Sequence, residues 1–278
     1  MTITAKANNG YVVEKWTVTP AAALQTGGAN GSDTATAKVK VTANTTVNVT
    51  FKQVATPPTP PASTDKTYTV GGISFTMKGI AAVTNKNVGH ADYSSNNDVH
   101  TVSLTAYRIG ETEVTQELWQ AVMGENPSWF KGTGNPPDGS EVQEKRPVES
   151  VNWYHAIAFC NKLSKACNLE PCYTVQGVDF DALTFSAIPT SNNNDWNNAV
   201  CDWSKKGFRL PTEAEWEWAA MGGKDYKWSG TNVESELKDY AWYRANSNNQ
   251  THEVRKQTAN GYGLYDMSGN VWEWCWDW

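Results

Sequence analysis

GYGLYDMSGNVWEWCWDW, residues 261–278, holds four tryptophans, two tyrosines and three glycines in eighteen positions. A Trp or Tyr side chain can bury roughly 150–250 Å², so we expect this segment to form the centre of a core. Gly263, Gly269 and Asn270 suit turns with positive φ. The composition therefore predicts a sharply folded backbone that passes beneath large aromatic side chains.

Three carboxylates and one carboxamide lie among these aromatics: Asp266, Glu273, Asp277 and Asn270. An unpaired buried charge is costly, so each carboxylate requires a partner. A hard cation that prefers oxygen ligands, such as Ca²⁺, is one candidate.

The whole chain has 278 residues, long enough for one large and one small domain, with a formal net charge of −6. A nucleic-acid partner is not expected, because that function requires a basic excess. No apolar run approaches the ~18–20 residues of a membrane span, and the first residues lack a signal-peptide core. Any membrane anchoring is thus expected outside this sequence, whose two ends read as cut. Fourteen tryptophans favour a loop-rich fold with aromatic clusters.

Five cysteines, an odd number, show no closely spaced CxxC pair. Cys167 and Cys172 could form a local disulfide, or they could be ordinary buried thiols. The sequence leaves both alternatives open.

Residues 1–54 alternate polar and apolar side chains and predict a small all-β domain. The expected strands include Thr2–Ala5, Tyr11–Val18, Lys38–Thr42 and Thr46–Phe51, with a hairpin turn at Asn9-Gly10. The pattern resembles β-repeat modules of bacterial surface proteins, which implies a spacer more readily than a binding domain. Residues 55–66 are rich in proline and predict an extended linker.

The second predicted domain covers residues 67–278. Its expected strands are Thr67–Val70, Ile73–Met77 and His100–Arg108, with a polar loop over 85–98. A first helix should begin after Thr115, bury Leu118, Ala121 and Val122, and stop at Gly124. A second should run near Asn152–Ala166, with Ala156, Phe159, Cys160 and Leu163 inside. A third, Glu213–Met221, should start with a Thr212/Glu215 capping box, bury Trp216, Ala219 and Ala220, and end at Gly222-Gly223.

Four stretches resemble the sulfatase-modifying-factor family, whose best-known member is the formylglycine-generating enzyme. They are GETEVTQELWQAVMGENPS (110–128), RPVESVNWYHAIAFCNKLS (146–164), GFRLPTEAEWEWAA (207–220) and NGYGLYDMSGNVWEWCWDW (260–278). The resemblance implies an α+β fold of the C-type-lectin-like kind, with helices packed on short twisted antiparallel strands.

The resemblance does not extend to catalysis. In the enzyme a cysteine pair binds Cu(I), which prefers soft thiolate ligands, and the pair follows the WEW motif in a segment that this sequence does not reach. Cys275 lies inside the tryptophan motif and does not match that pair. We therefore expect no oxidase activity from this chain, and Cu(I) only where a longer protein supplies the pair.

Calcium is implied by the resemblance for the loop over residues 268–273. Asn270 and Glu273 would supply side-chain oxygens, and Ser268 and Val271 would supply backbone carbonyls. In the alternative, Asn270 caps the turn and Glu273 meets a backbone N–H or an arginine. A second family site would begin at Asn246, but its acidic loop is missing here.

These observations favour a bacterial cell-surface or secreted module that binds a protein or glycan ligand. One form of this hypothesis is a variable protein diversified by a retroelement. The alternative is a copper-dependent formylglycine-generating oxidase of which this chain is a part, and a third hypothesis is an assembly accessory. The four histidines are scattered, with no HxxxH or HExxH pattern, which disfavours an iron-dependent enzyme.

Overall fold

The computed structural model describes residues 1–6, 11–20, 23–27, 34–41, 44–53, 64–90 and 97–277. Contacts divide the chain into two compact units, Met1–Pro61 and Ala62–Trp278. The limits expected from the sequence, a first domain ending at residue 54 and a second starting at 67, stay predictions. Most of the proposed linker lies outside the described residues.

The described part of the first unit consists of five strands: β1 Thr2–Lys6, β2 Tyr11–Thr19, β3 Leu24–Gly27, β4 Thr34–Val39 and β5 Thr46–Gln53. They form a three-stranded sheet of order β1-β4-β3 and an antiparallel β2-β5 pair. β1 pairs with β4, and β2 with β5, so the strands beside Asn9-Gly10 are not partners in a hairpin. The turn itself lies outside the described residues. Val13, Trp16 and Val39 are buried in the small core.

The described residues of the second unit form seven short strands: β6 Lys66–Val70, β7 Ile73–Ile80, β8 Val83–Val88, β9 His100–Leu104, β10 Tyr107–Gly110, β11 Tyr173–Thr174 and β12 Val200–Cys201. They form a β10-β7-β6 sheet and the antiparallel pairs β8-β9 and β11-β12.

Two strand predictions in this unit are wrong. The expected strand 100–108 is two strands in different sheets, and β8 occupies the start of the expected loop. Residues 84–87 of β8 are all exposed, so the strand carries no alternating apolar pattern. β8 forms because it pairs with β9, and not because its own sequence has an apolar pattern.

The described part of this unit also contains four α-helices: α1 Gln116–Met123, α2 Trp153–Ala166, α3 Asn194–Asn197 and α4 Glu213–Met221. Short 3₁₀ helices cover Gln143–Lys145, Phe185–Ala187 and Glu234–Asp239. The Thr115 cap and the Thr212/Glu215 capping box are confirmed, as are the stops at Gly124 and Gly222. Each cap satisfies backbone N–H groups that have no partner in the first helical turn.

The buried faces of the helices were predicted with mixed success. All four expected residues of α2 are buried. In α1, Ala121 is exposed and Trp119 and Met123 are buried instead. In α4, Trp218 is more deeply buried than Trp216. An indole can reach across to a neighbouring element, so helical spacing alone does not fix which tryptophan points inward.

The core of the second unit has two parts. Around α2, the Trp119 and Phe159 rings stack with centroids 4.8 Å apart. Around α4, the core combines Ile80, Val88 and Trp218 with Leu264 and Met267. The last two belong to residues 261–277, called the final segment below. The final segment therefore contributes aliphatic side chains to the core around α4.

Alanine substitutions at the two glycines that end α1 and α4 distinguish the cost of a positive φ from the cost of a steric clash. Gly124 and Gly222 adopt φ of 83° and 62°. A Cβ at Gly124 would meet nothing within 4 Å, whereas one at Gly222 would lie 2.8 Å from the Gly261 nitrogen. We expect Gly124→Ala to cost about 1 kcal/mol of unfolding free energy, and Gly222→Ala about 2 kcal/mol more. Urea denaturation measures both, and equal losses would contradict the contact at Gly222.

Candidate functional site

Residues 261–277 contain no helix or strand, and side chains hold their backbone in place. The chain adopts positive φ at Gly263, Asp266 and Asn270. The Asn260 Oδ1 accepts hydrogen bonds from the backbone of Tyr262 at 2.9 Å and Leu264 at 3.2 Å. Its Nδ2 donates to the last turn of α4. Gly269 keeps an ordinary φ, but a Cβ there would lie 2.1 Å from the Trp242 carbonyl oxygen.

The Asn270 side chain forms a clip between three distant parts of the unit. Its Oδ1 accepts from the His252 backbone N–H at 2.9 Å. Its Nδ2 donates to Glu113 Oε2 at 2.9 Å and to the His252 carbonyl at 3.1 Å. The other Glu113 oxygen accepts from the Val271 N–H at 3.0 Å. Each end of the carboxamide is thus engaged by protein.

Three carboxyl groups influence one another beside this clip. Asp266 is 1% exposed, and burial raises its pKa to about 6. Its Oδ2 accepts from the Arg255 N–H at 2.9 Å, whereas Oδ1 is buried without a partner. Burial raises the pKa of Glu113 well above its usual value, and the charges of Asp266 and Glu273 add to the effect. The region therefore concentrates negative charge where water solvates it poorly.

The four residues predicted to hold calcium fit the arrangement unequally. Ser268 and Val271 belong to the turn that carries the clip, and the Ser268 Oγ accepts from the Ser229 N–H at 2.8 Å. Glu273 is exposed as a whole residue, but its carboxyl group is enclosed, and burial raises its pKa to about 7. Asn270 spans Glu113 and His252, whereas the alternative interpretation had it cap the local turn. Asp266, seen in the sequence only as a carboxylate that needs a partner, offers the free oxygen.

Glu113 and His252 were missed in the sequence analysis. They contact Asn270 across 157 and 18 residues, so no local spacing could have pointed to them. His252 also stacks on Trp242, with ring centroids 3.8 Å apart.

An open cleft of about 1080 Å³ lies beside this region, lined by β7, β10, α2 and the final segment. Three indoles on its walls are exposed: Trp203 at 51%, Trp272 at 101% and Trp274 at 47%. The prediction that residues 261–278 form the centre of a core is thus wrong for Trp272 and Trp274. Trp276 is partly buried and stacks on Tyr173, with centroids 4.9 Å apart. Trp278 lies outside the described residues. Aromatic content alone does not separate a core from a lined cleft.

A charged pair borders the same cleft. Arg209 donates from its two terminal nitrogens to the Glu215 oxygens at 2.6 and 2.7 Å. Its guanidinium also lies over the Trp203 ring, 4.6 Å from the centroid. Because Glu215 accepts from the Thr212 N–H as well, the pair fixes the start of α4 at the wall of the cleft.

All five cysteines are free, so the possible Cys167–Cys172 disulfide is not formed. Burial raises the pKa of each thiol, to about 12 for Cys160 and Cys275 and about 11 for Cys201. Metal binding and nucleophilic attack require the thiolate, which is scarce here at neutral pH.

Helices packed on short antiparallel strands, with a long irregular segment bound to them, define an α+β domain of the C-type-lectin-like kind. Residues 52–278 match the family described as "Sulfatase-modifying factor enzyme 1-like domain". The chain belongs to this family.

Relatives that are similar to this chain carry different names. The chain is 39% identical over 237 residues to "Chaperone protein LppX" of Paenibacillus barcinonensis, a match that covers 78% of this chain and 75% of that protein. It is 30% identical over 204 residues to the formylglycine-generating enzyme of Streptomyces coelicolor, covering 65% of this chain and 60% of the enzyme. The match to the Thermomonospora curvata enzyme is 42% identical and covers 30% of this chain and 31% of the enzyme. This chain thus spans less than two thirds of either enzyme.

Among solved structures, "Treponema denticola variable protein 1" is 68% identical and superposes with a TM-score of 0.74. The match covers 77% of each chain.

Replacing Asn270 tests its role as a clip. Asn270→Ala removes three hydrogen bonds, leaves buried polar groups unpaired and keeps a positive φ that alanine disfavours. We expect a loss of about 3 kcal/mol in unfolding free energy. Asn249→Ala is the matched control, since Asn249 also has positive φ but is exposed; its cost should be about 1 kcal/mol. Similar losses in the two variants would show that Asn270 contributes only its backbone conformation.

The raised pKa of Asp266 predicts a specific pH dependence. Because the folded-state pKa is about 6 and the ordinary value is 3.8, the folded protein retains a proton that the unfolded chain releases first. Stability should therefore fall as pH rises from about 4 to about 6. At about 1.4 kcal/mol per pKa unit, the loss amounts to roughly 3 kcal/mol.

Asp266→Asn supplies the comparison, since asparagine mimics the protonated acid and tolerates positive φ. Urea denaturation between pH 4 and 7 in EGTA should show a flatter dependence for the variant. Parallel curves for the two proteins would contradict the shift.

Proposed function

We propose that this chain is a ligand-binding module at the surface of a bacterium, built on a formylglycine-generating-enzyme-like domain. The observation that carries the proposal is the open cleft with Trp203, Trp272 and Trp274 exposed on its walls. Exposed indoles in a concavity are costly to leave hydrated and bind sugar rings or apolar side chains well. The ligand class is accordingly a glycan or a protein.

The comparisons support this proposal. The chain is 68% identical to Treponema denticola variable protein 1, a protein named for its variability. A more specific version of the proposal is that a retroelement diversifies the ligand-binding residues of this chain. The surface location is supported by the resemblance of residues 1–54 to surface repeats. None of the helices in the described part of the chain has the length and hydrophobicity to span a bilayer.

A second candidate, an assembly accessory, is favoured by the likeness to chaperone LppX across 78% of this chain. A copper-dependent oxidase would require a pair of thiols that bind one Cu(I) ion, and Cys275 inside the tryptophan motif does not match that pair. The three functions differ in what they bind and in whether they turn it over.

A paired tryptophan substitution tests the binding proposal. Trp272 and Trp129 are 101% and 68% exposed, but only Trp272 lines the cleft. Neither substitution to alanine should affect folding, since both side chains lie in solvent. The three proteins would be screened on a glycan array and on immobilised extracellular matrix proteins. We expect Trp272→Ala to weaken the strongest binding signal about 30-fold, as for a central interface tryptophan, and Trp129→Ala to leave it unchanged.

Equal ligand binding by Trp272→Ala and Trp129→Ala would show that the cleft is not the binding site. Formation of formylglycine on a cysteine-containing sulfatase peptide with Cu(I) would instead support the oxidase. Suppressed aggregation of unfolded client proteins, without binding to either panel, would support the accessory function.

We further propose that the final segment binds Ca²⁺ through Glu273 and the carbonyl oxygens of Ser268 and Val271, with Asp266 in addition to or in place of the Asn270 side chain. Support comes from the unpartnered buried oxygen of Asp266 and from the repulsion among Glu113, Asp266 and Glu273. A divalent cation would neutralise this charge and supply the missing partner.

Adding Ca²⁺ to metal-free protein tests the site. At a concentration 100-fold above the Kd, Ca²⁺ should stabilise the fold by about 2.7 kcal/mol, seen as a higher melting temperature. Asp266→Asn should lose most of this gain, while Asn249→Ala should retain it. A melting temperature unchanged by Ca²⁺ would refute the proposal.

A further inference from the structure

A second group of metal-ligating side chains lies outside the residues that line the cleft. His100, Glu213 and Glu217 each present one ligand atom, and the three atoms lie within 4.8 Å of one another. Among the residues that the structure describes, no other three side chains of this kind come so close. His100 begins β9, whereas Glu213 and Glu217 are one turn apart on α4 and share a helix face.

The histidine is oriented as a metal ligand. Its Nδ1 lies 2.9 Å from the Asp98 carbonyl oxygen, which can only accept a hydrogen bond. The hydrogen bond assigns the proton to Nδ1 and leaves the lone pair on Nε2. Histidines that bind metals typically donate their second ring N–H to a carbonyl in this way, because the contact fixes both the tautomer and the ring orientation.

The Glu217 carboxylate is held from one side only. Its Oε1 accepts from the Gly89 N–H and from the Asn97 Nδ2, both at 2.9 Å. Its Oε2 is buried and has no hydrogen-bond partner. A buried carboxylate oxygen without a partner is costly, and a cation coordinated by Oε2 would remove that cost.

The charges around the group also favour a cation. Glu213 and Glu217 carry like charges at a spacing of four residues, which destabilises a helix unless another charge intervenes. Asp277 adds a third carboxylate, since its Oδ1 accepts from the Glu213 backbone N–H at 2.7 Å.

We propose that His100, Glu213 and Glu217 form a site for a divalent transition-metal ion, with Zn²⁺ as the best match. One imidazole and two carboxylates are a nitrogen and oxygen set that suits Zn²⁺, whereas Ca²⁺ and Mg²⁺ prefer oxygen alone. Three protein ligands leave a coordination position for water or for a group from a partner. The ion would join β9 to α4 and so clamp the β8-β9 hairpin onto the helix. This site is independent of the ligand-binding proposal.

Isothermal titration of EDTA-treated, desalted protein with Zn²⁺ tests the site. The wild-type chain should bind one Zn²⁺ that His100→Gln and Glu217→Gln each bind at least about tenfold more weakly. Glutamine at position 217 can still accept from Gly89 and Asn97, so the fold should persist. Glu144→Gln, an exposed carboxylate elsewhere on the unit, is the matched control and should bind Zn²⁺ like wild type.

Two further measurements keep the outcome clear. In EDTA, Glu217→Gln should melt no lower than wild type, because it removes the like charge beside Glu213, whereas added Zn²⁺ should raise the melting temperature of wild type and not that of Glu217→Gln. Substituted Co²⁺ should give visible absorption bands in wild type that both ligand variants lose. The proposal is overturned if wild type binds Zn²⁺ more weakly than about 0.1 mM, or if all four proteins bind it equally.

Discussion

The second unit depends on one constraint: its last seventeen described residues carry backbone polar groups that no helix or sheet satisfies. Buried N–H and C=O groups must find partners, and here side chains share that role with the backbone of other loops, since Asn270 and Trp276 donate to the carbonyls of Trp242 and Pro211. Asn260 accepts from the backbone N–H groups of Tyr262 and Leu264, and Glu113 accepts from that of Val271. Asn270 joins this network to His252. The carboxylates and carboxamides of the segment are therefore parts of the fold before they are candidates for any ligand.

Helix ends could be read from the sequence because cap chemistry is local. Thr115, Asn152 and Thr212 each cap through contacts three residues away. Strand boundaries could not be read from the sequence. β8, for example, has exposed residues along its length and is stabilised by its pairing with β9. Exposure of Trp272 was equally invisible, because the surfaces that would cover or leave open an indole come from distant parts of the chain.

The candidate site divides in the same way. The resemblance placed Asn270 and Glu273 in a functional loop, and the aromatic surroundings marked Asp266 as a carboxylate in need of a partner. Neither could show that the Asn270 amide is engaged by Glu113, which lies 157 residues earlier. The association of His100 with Glu217 also joins distant residues, and no motif announces it. Spacing in the sequence can reveal functional residues that lie on one helix or strand. It cannot reveal these groups of side chains, which are brought together from different elements by the fold.

The Glu113–Asn270 hydrogen bond also has a mechanical consequence. It acts together with the bond from the Tyr265 N–H to the Glu111 carbonyl, 3.0 Å long, close to the strand β10 that pairs with β7. Tension applied between the start of the second unit and its end would load these two bonds together with the contacts that Cys275 and Trp276 make with Trp153 and Tyr173. Under shear, the strength of the unit would depend on polar and aromatic contacts loaded side by side.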